Sequence, residues 1–97
     1  KKVIACAEEV GEELWQLPMG EEFSDGLKSE VADISNISPS RYGGASVGAE
    51  FLHFFVDFPW VHIDMASTGF AQQSPKAWLH PGTSGAIVQT MIKYLRS

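Results

Sequence analysis

The chain has 97 residues, 44% of them apolar, 11% aromatic and 20% charged, with nine glycines and five prolines. That balance describes one globular domain or part of one and argues against a disordered, collagen-like or disulfide-stapled chain. Seven Lys and Arg against twelve Asp and Glu give a formal charge of −5, so nucleic acid and anionic membrane surfaces are not expected partners.

Helical spacing of Val3, Ile4, Ala7 and Val10, followed by Gly11, predicts a helix over residues 1–10 with a left-handed glycine after it. Its charges run against the helix dipole: Lys1 and Lys2 at the positive end, Glu8 and Glu9 at the negative end, each at a cost of about 0.3–1 kcal/mol. The expectation is that the helix begins upstream of Lys1. Leu14 to Leu17 is β-compatible and ends at Pro18, so it reads as an edge strand or an extended connector. Glu21 to Lys28 opens on two acids and carries Phe23 and Leu27 at i, i+4, a short helix weakened by Gly26. Val31 to Ile37 has an apolar period near three and fits neither template, and Ser38 to Gly44 is a loop by its Pro, Ser and Gly content.

From Ala45 to Phe55, Val47, Phe51, Phe54 and Phe55 form a helical stripe, with Ala45, Gly48 and Ala49 leaving room for a close neighbour. In Trp60 to Met65 large groups alternate on both faces, which predicts a strand inside a sheet covered on two sides. Ala66-Ser67-Thr68-Gly69 is small and polar, and residues 70–81 read as a surface loop carrying Gln72, Gln73, Pro75, Trp78 and His80. Thr83 or Ser84 is then expected to cap a largely buried last helix, with Ile87, Met91, Tyr94 and Leu95 in one stripe, Val88 and Ile92 widening it, and Lys93 and Arg96 at its C-terminal end. One strand does not make a sheet, so the pattern is part of a larger α/β layer structure.

Lone Cys6 has no internal disulfide partner and fits a reducing compartment, with the cytosol as the default; on its apolar stripe it reads as core. The stretch from Phe51 to Met65 is interrupted by His53, Asp57, Pro59, His62 and Asp64 and cannot span a bilayer. Lys1 to Ala7 is too short an apolar run for a signal peptide, and the missing initiator Met points to a processed or excised piece.

For chemistry, His62 and Asp64 at i, i+2 share a face on a strand, as a metal or acid/base pair requires. Two groups are not a zinc site, and His53 and His80 complete one only by tertiary proximity; the expected use is structural. Neither Ser67 nor Ser84 lies in a Gly-x-Ser-x-Gly elbow. Gly43 to Gly48 lacks the spacing of a phosphate loop, and close helix packing is its expected role. Trp15, Trp60 and Trp78 read as core or interface anchors. Ligands in open α/β sheets sit beyond the carboxyl ends of strands, and Ala66 to Gly69 occupies such a place, as a pocket lining or simply a tight turn.

The succession Leu14-Trp15-Gln16-Leu17-Pro18, Leu27-Lys28-Ser29, Ala32 to Ile37, Gly43-Gly44-Ala45, Phe51-Leu52, Trp60 to Ala66, Gly82-Thr83-Ser84-Gly85 and Tyr94-Leu95 resembles the C-terminal end of the leucyl (cytosol) aminopeptidases in order and spacing, over essentially all 97 residues. The resemblance implies the C-terminal part of a three-layer α/β/α metallo-aminopeptidase catalytic domain. It implies cytoplasmic homohexamers with two zinc or manganese ions per site, which bind the free amine of a peptide and activate water against the first peptide bond. The family's metal-binding motifs are not in these residues, so the ligands would lie upstream in the same protein and the segment alone would be inactive. Carried over residue by residue, Ala66, Ser67, Thr68 and Gly69 border the pocket for the substrate's first side chain, with Ser67 where the family usually has Gly. An acidic segment there would weakly attract a peptide's ammonium end. The rival expectation is a non-catalytic relict or assembly module retaining the fold.

Overall fold

A computed structural model describes residues 1–71 and 81–97, which fall into two units, residues 1–15 with 65–97 and residues 16–64. In the first unit, α1 spans Lys2–Val10 and α4 spans Val88–Arg96, and the two pack on each other. Gly11, at φ 77°, ends α1 as predicted: its N–H donates to the Glu8 carbonyl at 3.3 Å and the Glu12 N–H to the Ala7 carbonyl at 2.9 Å, the paired closure that satisfies a helix's last carbonyls. Cys6 and Ala7 from α1 and Thr90 from α4 are the buried centre. Two of the four awkward charges of α1, Lys2 and Glu9, find partners on α4. Lys2 Nζ stands 5.0 Å from the Tyr94 ring centre, and Glu9 pairs with Lys93 at 2.5 Å; the latter pair raises the Lys93 ammonium above its ordinary value.

The other elements of this unit are two-residue strands, β1 (Phe70–Ala71) and β2 (Gly82–Thr83), paired antiparallel with Phe70 opposite Thr83 and Ala71 opposite Gly82. They bracket the expected loop, whose Gln72, Gln73, Pro75, Trp78 and His80 lie outside the described residues. The last helix is less buried than its stripe predicted: Val88, Ile92 and Leu95 are exposed, Leu95 at 77%. Thr83 and Ser84 do not cap it either. Gly85 and Ile87 both take positive φ, 68° and 71°, and these two left-handed residues turn the chain between Ser84 and the helix start.

In the second unit, α2 covers Glu21–Ser24 and tightens into a 3-10 turn at Asp25–Leu27, where Gly26 weakens the helix. A Cβ on Gly26 would meet the Ser38 side chain, which would have to shift to admit it, so the chain's close approach there favours glycine. α3 covers Gly44–His53, two residues short of the expected end, with Phe54 and Phe55 already in a turn. Leu27, Ser46 and Ala49 are buried between these elements. Of the small residues expected to allow close packing, Ala49 is buried and the two glycines differ. Gly48 has open space where a Cβ would be, whereas at Gly43, φ 65°, a Cβ would lie 2.8 Å from Phe23 Cε1. Glu50 Oε1 accepts the Gly20 N–H at 2.7 Å and ties the approach to α2 onto α3. The loop from Ser38 is built from successive serine turns, in which Ser38 Oγ accepts the Ser40 N–H and Ser40 Oγ the Tyr42 N–H, both at 3.2 Å.

Of the two forms expected for Leu14 to Leu17 the structure shows the extended connector, with Trp15 88% exposed. The predicted strand Trp60 to Met65 is not formed among the described residues: it joins no ladder, with Val61 61% exposed. A strand's N–H and C=O groups need a neighbouring strand, and the described residues supply none for it.

Candidate functional site

The Ala66–Gly69 segment is a tight turn held at both ends. At its start the Met65 carbonyl accepts the Gly69 N–H at 2.7 Å, the Thr68 N–H at 3.1 Å and the Thr68 hydroxyl at 3.4 Å. At its end Ser84 reaches across from beyond β2. The Ser84 N–H donates to the Gly69 carbonyl at 3.1 Å, its hydroxyl donates to the Thr68 carbonyl, and its Oγ accepts the Ala86 N–H at 3.2 Å. A Cβ on Gly69 would sit 3.0 Å from the Met65 oxygen, so the closeness of the turn accounts for the small residue. Ala66, Ser67 and Thr68 are exposed. All four predicted pocket residues therefore lie together on one turn.

Glu12 fixes the chain just beyond Ser84. One oxygen of its carboxylate accepts the Ile87 N–H at 2.8 Å; the other accepts the Thr90 N–H at 3.0 Å and the Thr90 hydroxyl. These are the free donors at the start of α4, so a side chain 78 residues away does the capping expected of Thr83 or Ser84. Burial works to raise the Glu12 carboxyl, but the Thr90 hydroxyl and the two N–H groups together outweigh it and leave the group below its ordinary value. Sequence reasoning missed this residue because a long-range cap leaves no local pattern.

The remaining candidates are not brought together as a reactive set. In the second unit the His53 ring stacks on Trp60 at 5.6 Å and 17°, and the His62 ring lies 6.2 Å from the same indole. His62 is half-buried and Asp64 exposed. His80 lies outside the described residues. Among the described residues no three His, Cys, Asp or Glu side chains gather to hold a metal ion, so they do not fit a two-metal centre by themselves. Hollows of about 300 Å³ beside Val10 and Ile92 and about 350 Å³ beside Leu27 and Phe54 include no residue of the Ala66–Gly69 turn.

A family model for the catalytic domain of the cytosol aminopeptidase family matches residues 1–92. The chain belongs to the cytosol aminopeptidase family. It is 44% identical over 88 residues to a probable cytosol aminopeptidase of Acidobacterium capsulatum, covering 90% of this chain and 17% of that protein. With a probable cytosol aminopeptidase of Rhodopirellula baltica it shares 43% over 96 residues, 98% of this chain and 19% of that one. The chain thus spans about a fifth of the length of these aminopeptidases. A solved structure, the bottromycin maturation enzyme BotP in complex with Mn, matches with a TM-score of 0.89 and 36% identity over 98% of this chain and 21% of that one. The chain shares the fold of that portion of BotP. No helix among the described residues is long and apolar enough to cross a membrane.

Proposed function

We propose that this chain is the C-terminal segment of the catalytic domain of an aminopeptidase that removes N-terminal residues from peptides, and that Ala66, Ser67, Thr68 and Gly69 form part of the wall against the substrate's first side chain. The observation that carries the reading is the family match over residues 1–92. The exposed, doubly tethered turn supports the second part, since a pocket wall has to be both accessible and fixed.

The metal ligands of a dinuclear zinc or manganese centre would come from the remainder of the polypeptide, because the described residues gather no ligand set. The manganese in the BotP structure supports a divalent metal for the family. In this reading the same remainder supplies neighbours for Trp60 to Met65, which then forms a core strand of a three-layer α/β/α domain. The exposed apolar residues of α4 are covered in the same assembly. A cytoplasmic homohexamer acting on peptides completes the proposal.

The test uses the full-length protein. Peptides beginning with leucine, with a free or an acetylated amine, are incubated with zinc or manganese present and after metal removal. Release of leucine from the free-amine peptide alone, lost on metal removal and restored by readdition, is expected. No release in any metal condition refutes the enzymatic reading and leaves a non-catalytic assembly role.

A further inference from the structure

We propose that Ser84 is a positioning residue of the substrate pocket, fixing the carbonyls of Thr68 and Gly69 so that the Ala66–Gly69 turn presents one wall geometry; this rests on the pocket reading above. A serine hydroxyl has a single proton to donate and lone pairs to accept with. The Ala86 N–H engages Oγ at 3.2 Å, and the proton goes to the Thr68 carbonyl. The backbone N–H of the same residue takes the Gly69 carbonyl at 3.1 Å. One residue therefore holds two consecutive carbonyls of a turn that lies 16 positions earlier in the chain.

The anchor is itself held. On one side of Ser84, β2 pairs with β1, which follows directly on Gly69. On the other side, the left-handed residues Gly85 and Ile87 lead to the start of α4, where Glu12 accepts the Ile87 N–H. With its opposite end fixed on the Met65 carbonyl, the turn has its backbone engaged at both ends while the side chains of Ala66, Ser67 and Thr68 stay exposed. Ser84 touches no reacting atom in this scheme. Removing its hydroxyl frees the Thr68 carbonyl and lets the wall take several positions, so contact is lost with a large first side chain and hardly at all with a small one.

The experiment compares full-length wild type, Ser84→Ala and Ser84→Thr on peptides beginning with leucine or alanine. Ser84→Ala is expected to raise KM about fivefold for the leucine peptide, equivalent to about 1 kcal/mol. KM for the alanine peptide and kcat for both are expected to hold within about twofold. Ser84→Thr, which keeps the hydroxyl, restores the wild-type KM. An active wild type with unchanged KM in Ser84→Ala, or with kcat falling equally on both peptides, overturns the inference while leaving the enzymatic reading intact. An inactive wild type refutes that reading first and the role of Ser84 with it.

Discussion

Replacing Glu12 by alanine removes three acceptor contacts at once: those to the Ile87 N–H at 2.8 Å, the Thr90 N–H at 3.0 Å and the Thr90 hydroxyl. Hydrogen bonds to a charged group contribute about 1.5–3 kcal/mol each when measured singly, but these three share one carboxylate and do not add. Loss of a helix cap costs about 0.5–2 kcal/mol, and leaving the fully buried Thr90 without its partner adds about 1 kcal/mol or more. A net loss of about 2–3 kcal/mol follows for the start of α4. In the full-length protein, hydrogen exchange of amides 87–91 should accelerate about 30- to 150-fold, while α3 amides keep their rates. Because the Glu12 carboxyl lies below its ordinary value of 4.5, its contribution is fully present above that pH. It is lost as pH falls through the folded value, so the difference between wild type and Glu12→Ala should narrow on the acid side. Exchange within threefold of wild type at neutral pH would refute the capping role.

Leu27, 2% exposed, should cost about 2–5 kcal/mol when cut to alanine, read as a lower denaturant midpoint with Trp60 fluorescence as the local probe. Gly43→Ala combines a left-handed φ of 65° with a Cβ 2.8 Å from the Phe23 ring, and should destabilise α3 by about 1–3 kcal/mol, seen as faster exchange in its first turn. Lys93→Ala removes an ion pair that is partly exposed on both sides, so the thermal midpoint should stay unchanged and insensitive to salt.

How much the residues disclosed depended on whether the deciding partner was near in sequence. α1 and its glycine stop were legible because apolar spacing and the Gly11 closure are local, and the short α2 was weakened at Gly26 as read. Cys6 is core for the reason its stripe gave. The serine loop likewise follows from neighbours two residues apart. The strand pattern of Trp60 to Met65 names an element whose neighbouring strand is not among the described residues, so periodicity alone could not place it in a sheet. The start of α4 misled for a related reason: hydroxyls stand at a plausible capping distance in sequence, but Gly85 and Ile87 divert the backbone and Glu12 takes the donors. For the site, the four small residues 66–69 were found together on one turn, whereas their tether to Ser84 depends on a chain reversal that composition does not encode.

The pairing of α1 with α4 also sets a schedule. Glu12 and Thr90 stand 78 residues apart, and a ribosome adding about 5–20 residues per second needs about 4–16 s to deliver the second after the first. Throughout that interval the Cys6–Ala7 face of the first helix has been synthesised and its mate has not. A nascent chain stalled before Thr90 would carry that face without α4 to cover it.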